Sequence, residues 1–358
     1  MQVKLKKYPV GTVFNKTTIN KKLDFSNGKI KLLYPTRLES MVFDPAKIES
    51  NKSHIYTAGQ INFTVAMFRS IKIEITDKKN DLNISGTGHR ESLIKHAYFL
   101  MKDVLKFEVG MNIEYVDEIN IKHCGLGSSS ATIAGVCCAI NEIFGNPMSK
   151  INLMKYIVQN HVEEVDGDID NVFPVQSIGG SAAAGLFGNG MVIIAGEAVV
   201  IETMSISEEY DVLFGIPSDY ISKDSQHLMQ VESDNFEDFN KTGNTYAKEI
   251  AYKMLHECLP EIKFGKLNAV GDLVYNYRFN MGSIKNCSFC YDGLVDLGNR
   301  LRIIKDSNLA EVLALSSVGP GFFAITKNKE GDKKIFKENN LNIFETKCYN
   351  GGYKIIYE

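Results

Sequence analysis

Nine residues, His123-Cys124-Gly125-Leu126-Gly127-Ser128-Ser129-Ser130-Ala131, set two closely spaced glycines before three consecutive serines. Asn112 to Val116 before them alternates as a strand should, and Thr132 to Ile140 after them is small and apolar enough for a buried helix. Strand, glycine-serine loop and buried helix is a layout for binding an anion. The loop has little side-chain bulk, and the helix start offers unpaired N–H groups and the positive end of its dipole. The serine hydroxyls add hydrogen bonds or a ligand for Mg²⁺. An ordinary turn with a serine N-cap has the same composition. The spacing is only G-x-G and no G-x-x-x-x-G-K-[ST] occurs, which excludes a P-loop and a full dinucleotide fingerprint.

A second candidate group is Glu163, Glu164, Asp166, Asp168 and Asp170, five acids within eight residues, running into Asn171-Val172-Phe173-Pro174 and then Gly179-Gly180. A charge run is most often a solvated face or a loop. Here the flanking glycines and apolar residues imply that part of it is buried. Carboxylates at such a place can orient a hydroxyl, take its proton, or help neutralise phosphate through Mg²⁺. A third stretch, Leu315 to Ile325, carries Gly319-Pro320-Gly321 as a turn entering an apolar strand.

Gly125 to Ala131 resembles the phosphate-binding motif of the GHMP kinases (galactokinase, homoserine kinase, mevalonate kinase and phosphomevalonate kinase), usually P-x-x-x-G-L-G-S-S-A-A. The leading proline is missing here, and Ser130 replaces the first alanine. Ala139 to Gly145 is similar to the homoserine kinase branch. Asp170-Asn171-Val172-Phe173-Pro174 with Gly179-Gly180 resembles the D-N-V-A-P and Gly-Gly element of homoserine kinases and the S-G-x-D-N of mevalonate kinase. The Ser316 to Gly321 turn resembles the loop that braces the phosphate loop in that family, with Ser317 where glycine is common. Tyr34-Pro35-Thr36-Arg37 falls where the family's first strand runs into a Pro-containing loop carrying a cation.

The resemblance implies an α+β, two-domain GHMP kinase fold. Residues 1–208 would form an N-terminal ATP-binding domain like ribosomal protein S5 domain 2, and residues 209–358 a ferredoxin-like C-terminal domain. It implies ATP and Mg²⁺ as cofactors. Gly125, Leu126, Gly127, Ser128, Ser129 and Ser130 would hold the phosphates, and Ser129 with Glu163 or Glu164 the metal. Asp170 would be the general base, or a structural or substrate-binding residue as in homoserine kinases, and Arg37 would bind anionic groups. The implied reaction moves the ATP γ-phosphate to a hydroxyl of a small metabolite: a hydroxy acid or amino acid, a sugar or an isoprenoid alcohol. Two alternatives are an ATP-dependent decarboxylase of the same fold and a non-catalytic metabolite-binding relative.

Other elements must position these residues. Residues 1–30 carry turn signals at Pro9-Val10-Gly11 and Ser26-Asn27-Gly28 that fit an N-terminal hairpin, and Lys29 to Leu33 alternates as a strand ending at Tyr34. Ile61 to Thr76 reads as two strands, and Arg90 to Phe107 has helical spacing. Ser149 caps a helix through Val158, two strands lie near 191–195 and 198–204, and Tyr210 to Pro217 opens the second half. Residues 233–243 read as a polar surface connection, with helices at 246–259, 267–279 and 291–305 and closing strands near 343–348 and 353–357.

With 358 residues, 44% hydrophobic and 23% charged, the chain is an ordinary globular one with room for two domains. The net charge of −3, with mixed signs, argues against a nucleic-acid-binding surface. No apolar run reaches the ~20 residues of a membrane span, and no signal core follows the basic N-terminus. Seven scattered cysteines suit reduced thiols in a cytoplasmic protein. Cys287-Ser288-Phe289-Cys290 lacks the second pair that a zinc site wants. A small-molecule substrate is the implied partner, and a homodimer is compatible with the chain though no residue specifies one.

Overall fold

The computed structural model describes residues 6–19, 23–24, 28–47, 56–86 and 90–356. The phosphate loop grows out of a sheet built on two long strands, β2 (Lys29–Val42) and β3 (Gln60–Thr76). With β4 (Leu82–Gly86), β5 (Gly110–Asp117) and β14 (Lys354–Ile356) the order is β14-β2-β3-β5-β4, and β8 (Met191–Ala195) with β9 (Val199–Met204) attaches to the other end of β3. Pairing is antiparallel except between β4 and β5. Helices α1 (Glu91–Leu105), α2 (Ser128–Ile143), α3 (Lys150–Gln159) and α4 (Gly180–Phe187) pack around this sheet in one core. α2 is apolar on nearly every side because it is covered all round, which is why its sequence lacks an amphipathic stripe. Ser149 caps α3 as expected, accepting from Asn152 N–H at 3.3 Å.

A separate hairpin carries the acid run. β6 (Val162–Val165) and β7 (Asp168–Pro174) pair across a turn at Asp166-Gly167, and β1 (Tyr8–Pro9) adds to the far edge of β7. Gly167 allows the tight turn with φ +78°.

The second half is a four-stranded antiparallel sheet, β11-β12-β10-β13, made of β10 (Asp211–Pro217), β11 (Ala310–Leu315), β12 (Phe322–Thr326) and β13 (Leu341–Thr346). α5 (Ser225–Asp234), α6 (Phe236–Lys253) and shorter helical segments to Asp306 follow β10. Alternation along β10 feeds two cores. Val212, Phe214 and Ile216 face a core shared with Leu38, Ile61, Phe63 and Met191 of the first sheet, while Leu213 faces the opposite one. Phe63 and Phe323 meet edge to face across this junction with centroids 5.9 Å apart. The shared core couples the two halves.

Several local expectations change. Ile61 to Thr76 is one strand, not two, because β3 pairs with β2 along its length and absorbs a register shift between Val65 and Phe68 without ending. β2 does not end at Tyr34: it runs through Pro35 and Arg37, with a register shift between Pro35 and Thr36 that accommodates the proline. Residues 8–9 pair with β7 rather than with a hairpin partner, and Ser26-Asn27 lies outside the described residues. Residues 233–243 are mostly helical, their polarity reflecting an exposed face of α5 and α6. The closing strands separate, β13 staying in the second sheet while β14 returns to β2.

Close packing of α4 on β2 gives a direct test. A methyl group at Gly185 would fall 2.0 Å from Tyr34 Cζ, and the fully buried Tyr34 is itself fixed by its hydroxyl donating to Ser181 O at 2.7 Å. Alanine favours a helix by up to about 1 kcal/mol over glycine, but overpacking costs about 1–3 kcal/mol or more. Gly185→Ala is therefore expected to destabilise the protein by about 2 kcal/mol in urea unfolding; an unchanged or raised midpoint would contradict this packing.

Candidate phosphate-binding site

Gly125 and Gly127 are required for two separate reasons. Their φ values are +96° and +58°. A Cβ at Gly125 would lie 2.4 Å from Ser316 O, and one at Gly127 would lie 2.8 Å from the Arg37 guanidinium. Gly127 then serves as the N-cap of α2 with no side chain bonded over the helix start, and the first turn contains no acid. This leaves N–H groups and the dipole end available to an anion, as the composition implied.

Arg37 and Ser316 hold the loop from below. Arg37 Nη1 donates to Gly125 O at 3.0 Å, and Ser316 Oγ donates to the same oxygen at 2.7 Å. Glu39 lies 3.7 Å from Arg37 Nη2. Burial lowers the Arg37 pKa from its ordinary value, and Glu39 opposes that shift. The Ser316 turn is tied in turn to β2, with Glu39 N donating to Ser316 Oγ at 3.2 Å and Ser317 N donating to Glu39 O at 3.1 Å.

Two cations that sequence reading missed sit on the serine side. Arg90, one residue before α1, is buried and donates to Ser128 Oγ at 2.5 Å, to Ser129 Oγ at 3.4 Å and to Glu164 Oε1 at 2.6 Å. Lys122 also reaches Glu164, at 2.6 Å, and Asp166 at 3.5 Å. Their only signal was a basic residue at a helix start and another beside the loop, which is too common a pattern to single out. Arg278 was missed as well. Its guanidinium donates to Ser40 O at 2.6 Å, Glu39 O at 3.3 Å, Ser317 O at 2.9 Å and Ser283 Oγ at 3.1 Å, joining β2 to the Ser316 turn.

The two glutamates differ in surroundings. Glu164 is saturated by Arg90 and Lys122. Glu163 is buried beside Ser129, and its Oε2 has no hydrogen-bond partner among the described residues. Burial raises its pKa from 4.5 to about 7, opposed by the Ser129 hydroxyl and Arg90 and reinforced by Glu164 and Glu232. His161 Nε2 lies 3.8 Å from Glu163 and 3.4 Å from Ser130 Oγ, and burial lowers its pKa to about 4, so the imidazole is neutral near pH 7.

Asp170 is not brought to the loop. Its side chain is 81% exposed and, among the described residues, meets only Lys95, at 4.0 Å. The physical reason is the short turn at Asp166-Gly167, which folds the acid run into a hairpin and points Asp170 to solvent. Asp168 caps that turn, accepting from Asp170 N and Asn171 N at 3.2 and 3.1 Å. Leu126 is buried in the shared core and acts as a loop anchor. The cysteines are free thiols; burial raises Cys287 to about 12. Among the described residues no helix is long and apolar enough to cross a membrane.

An open helix start behind a glycine-serine loop, braced by a turn from a second sheet, is a built site for an anion. Residues 92–184 match the GHMP kinases N terminal domain, and the chain as a whole shares the fold of solved homoserine kinase and mevalonate diphosphate decarboxylase structures. It is 23% identical over 348 residues to a homoserine kinase of Caldanaerobacter subterraneus subsp. tengcongensis, covering 93% of this chain and 97% of the relative. Among solved structures, homoserine kinase from Cytophaga hutchinsonii superposes with a TM-score of 0.59 at 16% identity, covering 94% of this chain and 100% of the other. Mevalonate diphosphate decarboxylase from Staphylococcus aureus gives 0.64 at 12% identity, covering 92% and 98%.

The Glu163 environment predicts a pH effect on the ligand-free protein. A carboxyl whose folded pKa exceeds its unfolded value contributes stability that is fully present below about 4.5 and lost as pH rises through about 7. Glu163→Gln abolishes that loss. In urea unfolding the variant should match the parent near pH 4.5 and exceed it at pH 8 by on the order of 1–3 kcal/mol. Equal stabilities at both pH values would refute the burial argument.

Proposed function

We propose that this protein is an ATP-dependent kinase that transfers the γ-phosphate to a hydroxyl of a small metabolite. The observation that carries the reading is the uncapped start of α2 behind Gly125-Leu126-Gly127, flanked by Ser128, Ser129 and Ser130 and by the buried Arg90. Backbone N–H groups and serine hydroxyls hold the phosphates, and Arg90 adds positive charge beside them. Homoserine kinases at 23–26% identity support a hydroxylated amino acid or hydroxy acid as acceptor ahead of a sugar or isoprenoid alcohol. The same proposal assigns residues 1–208 to the nucleotide-binding domain and 209–358 to the C-terminal domain, with β14 returning to the first sheet.

The donor set fits Mg²⁺. Ser129 supplies a hydroxyl, and Glu163 supplies a buried carboxylate oxygen without a partner. Glu163 is assigned this place over Glu164 because Glu164 is already neutralised by two cations. When bound, Mg²⁺ neutralises phosphate oxygens and so favours transfer. Within the chain, Arg90 orients Ser128 and Ser129, while Arg37 and Ser316 keep the Gly125 carbonyl turned away from the anion side.

The solved decarboxylase neighbours share the fold, so product analysis must accompany the assay. Purified protein would be incubated with ATP and Mg²⁺ over homoserine, threonine, hydroxy acids, sugars and mevalonate derivatives. A phosphorylated acceptor with ADP is expected, and carbon dioxide with free phosphate would favour the decarboxylase. ATP binding without turnover on any acceptor would favour a binding protein. Ser129→Ala is expected to lower turnover by about 10²-fold. Asp170→Asn is expected to leave it unchanged because the side chain lies in solvent.

A further inference from the structure

With Asp170 in solvent, no residue named so far receives the proton of the acceptor hydroxyl. The acids around the site can be sorted by their partners. Glu164 is held by Arg90 and Lys122, and Asp166 by Lys122 and by Ser225 N–H at 2.7 Å. Glu39 is held by Arg37 and, with the Gln60 amide turned to satisfy its neighbours, by Gln60 at 3.1 Å. Glu163 is assigned to Mg²⁺. The remaining acid is Glu232, whose carboxylate has no hydrogen bond or ion pair among the described residues.

Glu232 reaches the site through α5. The first residue of that helix, Ser225, is fully buried, its Oγ lies 2.7 Å from His123 Nε2 at the start of the phosphate loop, and its N–H bonds to Asp166 on the hairpin. Tyr220 OH, just before the helix, donates to His123 O at 2.8 Å. α5 therefore lies across the loop and packs against β6, the strand that carries Glu163. Residues 225, 229 and 232 share one helix face, so Glu232 is on the same side as Ser225 and about 10 Å further along the axis. Its charge is felt on both sides of the site: Glu39 of β2 acts on Glu232, and Glu232 acts on Glu163 of β6. Tyr56, Cys287 and Cys290 also sense its charge.

We infer that Glu232, supplied by the C-terminal half, is the catalytic base of the proposed reaction and receives the acceptor hydroxyl proton. The acceptor oxygen bonds to the γ-phosphorus, the bond from that phosphorus to the β,γ-bridging oxygen breaks, and ADP leaves with the bridging oxygen. The hydroxyl proton passes to the Glu232 carboxylate, and atoms and charge balance with no further reactant. Burial and the neighbouring Glu39 raise the Glu232 pKa to about 7, a value suited to accepting a proton near neutrality.

The inference rests on the kinase reading, and its test keeps the two apart. Wild-type protein, Glu232→Gln and Asp170→Asn would be assayed with the acceptor identified by the panel, with melting curves recorded with and without ATP and Mg²⁺. Expected for Glu232→Gln is a fall in kcat of about 10²-fold or more, with acceptor KM, Mg²⁺ requirement and the ATP-induced rise in Tm retained. The retained ATP response shows that the variant is folded. Unchanged kcat, or a higher KM at unchanged kcat, would overturn the base role while leaving the kinase reading intact. Wild-type protein that phosphorylates no acceptor would overturn both.

Discussion

The carbonyl oxygen of Gly125 is the point on which the rest of the site depends. It accepts from Arg37 of β2 and from Ser316 of the turn between β11 and β12. A buried guanidinium is costly unless its donors are used and its charge is balanced. Arg37 therefore needs both Gly125 and Glu39, and Glu39 needs the Ser316 turn that bonds its backbone. Three segments more than eighty residues apart in sequence must form together before the loop has a shape. Arg278 extends the same constraint, because its guanidinium bonds to carbonyls of β2 and of the Ser316 turn at once.

The distribution of charge around the serines follows from that rigid base. Arg90 and Lys122 neutralise Glu164 and leave Arg90 against two serine hydroxyls. Glu163, one residue away, is buried without such neutralisation and holds its proton up to about pH 7. Two adjacent carboxylates in one strand thus have different chemistry, decided by which cations the fold brings to each. Glu164 has its charge used up by two cations, whereas Glu163 keeps a carboxylate oxygen without a partner among the described residues.

Similarity to known proteins is spread unevenly over the chain. The fold carries over at 12–16% identity with nearly complete coverage of the solved structures. The hairpin of β6 and β7 leaves Asp170 in solvent, while Asn171 bonds back to Asp168. Ser130 in place of alanine stands against His161, a contact that the usual motif cannot make.

Much was legible from local pattern. Alternation marked β5, an apolar run ending in proline marked β10, capping chemistry marked α3, and the run of small residues after the serines marked a buried helix. Gly125 to Ser130 and the Ser316 turn were readable because glycine spacing and serine content reflect local backbone requirements, whereas Arg37, expected to bind anionic groups, has its guanidinium on the Gly125 carbonyl and Glu39. Arg90, Lys122, Arg278 and Glu232 were not readable, since each is an ordinary charged residue until folding places it. Pro35 misled by reading as a strand end, although a register shift lets β2 continue through it. By itself the sequence determined many of the elements and the glycine-serine loop, which are encoded in short-range periodicity and turn chemistry. Only the tertiary structure decided which of two adjacent glutamates is neutralised and which acid faces solvent, because burial and charge pairing are properties of distant segments brought together.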